Sequence, residues 1–245
     1  MRVRIAVLAG VLLVAGCAQP GAAEKPTGVT VLAAASLTES FTRIGKDFEA
    51  ANQGVKVTFS FGGSSGLARQ IVSGAPADVF AAASPATMTT VTEAGDAAGA
   101  PAVFTRNQLV IAVPKGNPEG LTSLAALAKP GVKVALCAEQ VPCGAAAKKA
   151  GVTVRPVTQE QDVKAALSKV KLGEVDAALV YRTDVRAAAA DVDGVEFPES
   201  AKAINDYPIV ALKDARNAAG AAAFVAYVRS EPAQKVLADA GFQRP

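Results

Sequence analysis

Apolar and polar side chains alternate in one stretch of the chain, and directly after it their spacing changes to that of a helix. Residues 55–61 read Val-Lys-Val-Thr-Phe-Ser-Phe, the period of two expected of a strand with one buried face. Leu67 and Ile71 then follow the turn Gly62-Gly63-Ser64-Ser65 at helical spacing. The pattern predicts a strand, a glycine-rich turn and a helix whose N-cap is Ser64 or Ser65. Because the first N–H groups of a helix have no acceptor within it, such a turn is suited to bind an oxyanion.

A second serine follows another predicted strand in the same way. Val29 to Ala35 is a short apolar strand, and Ser36-Leu37-Thr38-Glu39 has the form of a capping box with Ser36 at the N-cap. A helix follows, and one face of it carries Leu37, Phe41, Ile44 and Phe48. The carboxyl ends of parallel strands lie at one edge of a sheet, so Ser36 and Ser64 are expected to converge there. Taken alone, each serine is equally well explained as a helix cap.

The remainder of the chain alternates between predicted strands and helices, which indicates an α/β protein built as one large unit or two lobes. The further predicted strands are residues 78–83, 103–104, 109–113, 132–137, 175–181, 195–197 and 208–212. The further predicted helices are residues 85–91, 121–127, 145–150, 159–170, 183–190, 215–229 and 232–240.

The N-terminus has the pattern of an export signal. Arg2 and Arg4 precede an apolar run from Ile5 to Ala15 that is too short to span a membrane comfortably. The run ends in Val14-Ala15-Gly16-Cys17, which resembles the lipobox of bacterial lipoproteins. That resemblance implies a signal peptide over residues 1–16, acylation of Cys17, a tether over residues 17–28 and an extracytoplasmic protein anchored to the membrane by lipid. An ordinary cleaved signal with an incidental cysteine is the alternative.

Two further cysteines, Cys137 and Cys143, lie close together in the sequence. In an exported protein this spacing suggests a disulfide, which would fix the shape of a loop. A metal site is the competing interpretation, but the chain has no histidine and no second cysteine pair to complete it.

Charge and motif content argue against two classes of function. Lys and Arg number 25 against 22 Asp and Glu, and a formal net charge of +3 does not favour a nucleic-acid partner. Gly62-x-Ser64-x-Gly66 matches the nucleophile motif of serine hydrolases, with Ser64 as the nucleophile. A chain without histidine cannot supply the base of a Ser-His-Asp triad, so we expect a protein that is not an enzyme.

Several motifs together resemble the molybdate-binding subunit of bacterial ABC transporters. They include Ser64-Ser65-Gly66-Leu67-Ala68-Arg69-Gln70-Ile71, Gly74-Ala75-Pro76-Ala77-Asp78, Gln161-Asp162-Val163 and Val180-Tyr181, and matching segments run from about Val29 to Phe242. The resemblance implies a two-lobed periplasmic-binding-protein fold of type II, with mixed, mostly parallel sheets flanked by helices and the ligand in the cleft. It also implies that residues 29–107 with 207–245 form lobe 1 and residues 108–206 form lobe 2.

The resemblance further implies a set of ligand donors. Ser36 and Ser64 would donate from lobe 1, Cys143 and Val163 would donate through backbone N–H groups of lobe 2, and Tyr181 would donate through its phenol. Cys143 stands where the family often has alanine, and Gly62-Gly63 where it tends to have small polar residues. Taken singly, Val163 is also explained as a core residue of a helix, Tyr181 as an aromatic at a strand end and Cys143 as half of a disulfide.

All of these donors are neutral, and none must accept a hydrogen bond. Such a set favours a fully deprotonated tetrahedral dianion, molybdate or tungstate, over hydrogen phosphate, whose proton would lack a partner. We therefore expect a monomeric carrier without a cofactor that delivers the anion to an ABC permease in the membrane. Three alternatives stay open: a protein of the same fold for sulfate or a small organic anion, a serine hydrolase that uses Ser64, and a structural lipoprotein without a ligand.

Overall fold

A computed structural model describes residues 28–245 of the chain. The predicted signal peptide, the predicted lipid attachment at Cys17 and nearly all of the tether lie outside these residues. Across residues 28–245, none of the helices has the length and apolar character needed to cross a bilayer.

The described residues form two five-stranded sheets with helices packed against them. The first sheet has the order β2-β1-β3-β10-β4, formed by Lys56–Gly62, Gly28–Ala34, Val79–Ala81, Asn205–Ala211 and Ala102–Asn107. The second has the order β7-β6-β8-β5-β9, formed by Thr158–Glu160, Val134–Cys137, Ala177–Tyr181, Leu109–Pro114 and Val192–Val195. Helices α1 to α9 are Thr38–Ala51, Ser64–Val72, Pro85–Glu93, Leu124–Leu127, Pro142–Lys149, Val163–Lys171, Arg182–Ala187, Ala218–Val228 and Glu231–Asp239.

Both sheets combine parallel and antiparallel pairing. In the first, β1 runs parallel to β2 and β3, while β10 runs antiparallel to β3 and β4. In the second, β6 runs parallel to β7 and β8, while β5 runs antiparallel to β8 and β9. The predicted two-lobed α/β fold with mixed sheets is confirmed, although parallel pairing does not predominate. The parallel strands β1, β2 and β3 end at the same edge, which is where the cavity lies.

The chain passes between the two sheets twice. It leaves the first sheet after Asn107 and enters the second at Leu109, with Gln108 between them. It returns at Asn205, the first residue of β10, which pairs with Asn107 across the two crossing strands. The exact limits of the two domains stay a prediction.

Apolar periodicity explains the packing of the first lobe. The predicted face of α1 is confirmed, because Phe41, Ile44 and Phe48 are all buried. Phe224 of α8 packs edge-on against both Phe41 and Phe48, with ring centroids 6.1 and 5.3 Å apart. Val57 and the other apolar residues of β2 are half-buried while the residues between them are exposed, so the predicted alternation is confirmed. These contacts hold β1 and β2 in the core and fix the loops at their ends.

Both predicted serine caps are wrong. Ser36 lies in a short 3₁₀ helix, Ala35–Leu37, and α1 begins at Thr38 with Leu37 at the N-cap and no side-chain cap, so the capping box with Glu39 does not form. Gly63 is the N-cap of α2, and Ser64 is the first residue of that helix. In both cases the serine hydroxyl bonds to a residue distant in sequence, as the cavity geometry below explains.

Several predicted boundaries in the second lobe also differ from the structure. The helix predicted over residues 159–170 begins at Val163, because Asp162 caps it and residues Thr158–Glu160 form the edge strand β7. The helix predicted to begin at Ala145 begins at Pro142, since proline suits the first turn. The strand predicted over 195–197 is Val192–Val195, and an unpredicted 3₁₀ helix, Pro198–Ala203, follows it. As a result, Cys143 and Val163 lie in the first turns of α5 and α6.

Candidate functional site

A cavity of about 20 Å³ lies between the two lobes. The first lobe contributes the ends of β1, β2 and β3, and the second contributes the starts of α5 and α6 and the end of β8. This volume is more than tenfold below the roughly 300–1,000 Å³ of pockets for drug-sized organic ligands, so the cavity is suited only to a small ligand. Its lining residues are Ala34, Ala35, Ser36, Gly62, Gly63, Ser64, Ala83, Pro142, Cys143, Gln161, Asp162, Val163 and Tyr181.

All the ligand donors predicted from the sequence line this one cavity. Ser36 and Ser64 come from the first lobe, and Cys143, Val163 and Tyr181 come from the second. The structure therefore brings together residues that are far apart in the chain. Their role in ligand binding stays a prediction.

The hydroxyl groups of Ser36 and Ser64 are each hydrogen-bonded to another residue of the first lobe. Ser64 Oγ accepts a hydrogen bond from the N–H of Ala83 at 3.0 Å, which leaves its own proton available to a ligand. Ser36 Oγ lies 2.8 Å from the hydroxyl of Tyr207, which can donate to it in the same way. Both serine side chains are buried, so water does not compete for their hydroxyl groups.

Tyr181 is also arranged as a donor. Its hydroxyl oxygen accepts a hydrogen bond from the side-chain amide of Asn205 at 2.6 Å. Burial, together with the nearby charge of Asp184, raises the pKa of Tyr181 far above its ordinary value, so the phenol keeps its proton at any physiological pH. That proton is not used in the bond to Asn205 and can be donated to a ligand.

Two backbone N–H groups complete the donor set. Cys143 is the second residue of α5 and Val163 is the first residue of α6, so neither N–H has an acceptor within its helix. The carboxylate of Asp162 accepts from the next two N–H groups of α6, those of Lys164 and Ala165, at 2.9 and 3.0 Å. The N–H of Val163 is thus left for the cavity, at the positive end of the helix.

The predicted disulfide between Cys137 and Cys143 is confirmed. It joins the end of β6 to the first turn of α5, with the two Cα atoms 5.7 Å apart. The loop between the cysteines packs closely on the helix start, since a Cβ at Gly144 would overlap the carbonyl of Ala138. Disulfide and loop therefore fix the N–H of Cys143. Because both thiols are used, these cysteines are not available as metal ligands, and residues 28–245 contain no other cluster suited to a metal ion.

No lining residue within the described part of the chain carries a positive charge. Lys164 lies nearby, but its ammonium group bonds to Glu39 of the first lobe at 2.8 and 2.9 Å and lies 3.3 Å from Asp184. The only charged residue in the lining is Asp162, which sequence reasoning did not propose and whose carboxylate is engaged by α6. Any anion held here would depend on neutral donors.

Asp184 is a fully buried carboxyl group beside the site. It accepts a hydrogen bond from the N–H of Tyr181 at 3.0 Å. Burial raises the pKa of Asp184 to about 6, against the opposing effect of the Lys164 charge. Lys164 in turn has a raised pKa, because the charges of Asp184 and Glu39 outweigh the effect of burial.

The two lobes touch at the rim of the cavity. The hydroxyl of Ser65 donates to the carbonyl of Gln140 at 2.8 Å, and Gly63 lies against the carbonyl of Gln161. A Cβ on Gly63 would overlap that carbonyl oxygen. Glycine at this position therefore allows the lobes to close, a role that the turn pattern alone did not reveal.

Ser64 has no partner that could act as a base. Its hydroxyl oxygen is bonded to the Ala83 N–H, and the chain contains no histidine. A nucleophilic serine needs a neighbouring base to remove its proton. The geometry therefore disfavours the hydrolase alternative.

Comparisons with known proteins show the family and the fold that this chain shares with them. The family of bacterial extracellular solute-binding proteins matches residues 29–243. The chain is 42% identical to the molybdate-binding protein ModA of Mycobacterium tuberculosis over 252 residues, covering 97% of each chain.

Solved structures share the same fold. The periplasmic molybdate-binding protein of Azotobacter vinelandii superimposes with a TM-score of 0.78 at 24% identity, covering 89% of this chain and 99% of that one. The sulfate-binding protein SubI of Mycobacterium tuberculosis also gives a TM-score of 0.78, at 20% identity, covering 89% of this chain and 87% of that one. Both similarities concern the fold.

Proposed function

Because this chain belongs to the family of bacterial extracellular solute-binding proteins, we propose that it captures molybdate, and also tungstate, between its two lobes for delivery to an ABC permease. It is a binding protein, as its relatives are, and not an enzyme. The observation that carries the choice of an unprotonated oxyanion is the convergence of neutral donors from both lobes on one small cavity whose described lining residues include no cation. Sulfate is also unprotonated at neutral pH, so the choice of molybdate over sulfate is supported by the 42% identity to a molybdate-binding protein.

The donors favour an anion that carries no proton. The hydroxyl oxygens of Ser64 and Tyr181 accept hydrogen bonds from the protein, and that of Ser36 can accept one from Tyr207, so all three hydroxyls can donate their protons to the ligand. Hydrogen phosphate would present a proton to groups that donate, and a buried proton without an acceptor is costly. Molybdate and tungstate are fully deprotonated tetrahedral dianions at neutral pH and avoid this cost.

Binding would stabilise the closed form. Each hydrogen bond to a charged group contributes about 1.5 to 3 kcal/mol, and several together offset an association cost of about 4 to 15 kcal/mol. Because the donors are divided between the lobes, an open form would offer only part of the set. The ligand therefore shifts the population toward the closed form, which is the form the permease would recognise.

The remaining parts of the proposal concern location and assembly. Residues 29–107 with 207–245 form one lobe and residues 108–206 the other, and the protein acts as a monomer. Cys17 is lipidated and holds the protein at the outer face of the membrane. Replacement by Cys17→Ser should release the protein from the membrane fraction, and retention of the variant there would contradict lipid anchoring.

Isothermal titration calorimetry with molybdate, tungstate, sulfate and phosphate tests the proposed ligand. Calorimetry suits this chain because it contains no tryptophan for fluorescence. We expect tight binding of molybdate and tungstate and much weaker binding of sulfate and phosphate. Equal affinity for sulfate and molybdate would refute the assignment and favour a general oxyanion carrier.

A further inference from the structure

Asn205 lies directly behind the cavity, at the point where the chain returns to the first lobe. Its side-chain nitrogen is 2.6 Å from Tyr181 Oη, 3.0 Å from the carbonyl oxygen of Ala83 and 3.4 Å from that of Pro142. Ala83 belongs to the first lobe, while Pro142 and Tyr181 belong to the second. One amide group therefore contacts both lobes next to the proposed ligand.

The contacts of Asn205 determine the direction of the hydrogen bond to Tyr181. Carbonyl oxygens only accept, so the atom facing Ala83 and Pro142 must be the NH₂ group of Asn205 and not its oxygen. An amide NH₂ group only donates, so Tyr181 Oη must be the acceptor in the short contact. The phenol proton is consequently excluded from this bond and can be donated into the cavity.

The carbonyl groups that Asn205 contacts, those of Ala83 and Pro142, are connected to two other proposed ligand donors. Pro142 C=O and Cys143 N–H belong to one peptide unit, and the described residues contain no cis peptide bond, so the N–H points away from Asn205. Ala83 accepts from Asn205 through its carbonyl while its N–H holds the hydroxyl of Ser64. Asn205 thus contacts the residue that holds Ser64 in the first lobe and the peptide unit that carries the Cys143 N–H in the second lobe.

We propose that Asn205 is a positioning residue that fixes Tyr181 as an obligate donor and so makes the closed site selective for unprotonated oxyanions. The inference rests on the proposed function. Without Asn205, the phenol of Tyr181 could rotate and accept a proton from an anion such as hydrogen phosphate. Asn205 itself is not part of the cavity lining, so it acts through the residues it contacts.

A double-mutant cycle tests the proposal. Molybdate affinity is measured by calorimetry for the wild type, Asn205→Leu, Tyr181→Phe and the double variant. We expect Asn205→Leu to weaken molybdate binding about tenfold in the wild-type background and less than about threefold when Tyr181 is already phenylalanine. Excess phosphate should also compete more strongly with molybdate in Asn205→Leu than in the wild type. An equal loss in both backgrounds, or unchanged competition by phosphate, would overturn the proposal.

Gln108→Leu is the matched control, because it removes a side-chain amide at the other crossing between the lobes. Gln108 bonds to Ser200 at 2.8 Å and to Gln243 at 3.1 Å, and it does not line the cavity. Gln108→Leu should change the molybdate affinity by the same factor in the wild-type background and in the Tyr181→Phe background. If Asn205→Leu does not fold, Asn205→Ala takes its place in the cycle.

Molybdate binding by the wild type distinguishes failure of the proposed function from failure of the proposed role of Asn205. Failure of the wild type to bind molybdate would refute the proposed function itself. Binding by the wild type without coupling between Asn205 and Tyr181 would refute only the role of Asn205.

Discussion

Replacing Gly63 by alanine should weaken anion binding without destabilising the separate lobes. A Cβ at this position would overlap the carbonyl oxygen of Gln161 in the other lobe. The backbone of Gly63 has φ −63° and ψ 123°, a conformation that alanine adopts freely. The substitution therefore introduces a clash only where the lobes meet.

The size of the effect follows from the cost of excess volume in a packed contact. Inserting a methyl group where there is no room typically costs about 1 to 3 kcal/mol. If this cost falls on the closed form alone, the affinity for molybdate should decrease between about 5-fold and 150-fold. Calorimetry would give the affinity, and urea unfolding of the ligand-free protein would show a stability within about 0.5 kcal/mol of the wild type.

Gly66→Ala is the control for this substitution. Gly66 lies in the first turn of the same helix, and a Cβ there would meet no atom within 4 Å. We expect Gly66→Ala to bind molybdate like the wild type. If Gly63→Ala and Gly66→Ala bind equally well, the closed arrangement is not the ligand-bound form and the reasoning is refuted.

Three other predictions concern the donors, the disulfide and the buried carboxyl group. Tyr181→Phe should lose about 1.5 to 3 kcal/mol of molybdate binding by calorimetry, with unchanged affinity as the contrary result. Replacing Cys137 and Cys143 by serine should lower the free energy of unfolding by about 2 kcal/mol for so short a loop, and denaturant unfolding would show whether it does. The pKa of Asp184 is raised to about 6, so the folded state binds a proton more tightly than the unfolded state, and this group's contribution to stability should fall as the pH rises from about 4 to about 6. Between pH 4 and pH 6, the free energy of unfolding of Asp184→Asn should fall less than that of the wild type. Parallel plots of this free energy against pH for the two proteins would contradict the assignment.

The sequence predicted those parts of the fold that depend on local periodicity. The alternation in residues 55–61 predicted β2, and the apolar spacing from Phe41 to Phe48 predicted the buried face of α1. Parallel pairing of β1 with β2 then accounts for the proximity of Ser36 and Ser64. The donors of the second lobe depended on the family resemblance, since nothing in the local pattern distinguishes Val163 from a core residue.

Tertiary contacts explain what could not be predicted. Ser36 is 171 positions from Tyr207 and Ser64 is 19 positions from Ala83, and these partners engage the hydroxyls that local rules assign to helix caps. Asn205 gave no signal in the sequence, because a polar residue at the start of a strand is common. Its importance depends on a strand arrangement that brings Ala83, Pro142 and Tyr181 to the same amide.

Among the described residues that line the cavity none is cationic, and this bears on how a bound anion would leave. A lysine or arginine would continue to attract a departing dianion over about 10 Å, the distance at which salt screens such a force. Hydrogen bonds from hydroxyl and amide groups weaken steeply once the atoms move beyond contact distance. Separating the lobes by a few ångströms would thus break the hydrogen bonds that hold the anion. A transporter that opens the lobes could then release the anion without working against a long-range electrostatic attraction.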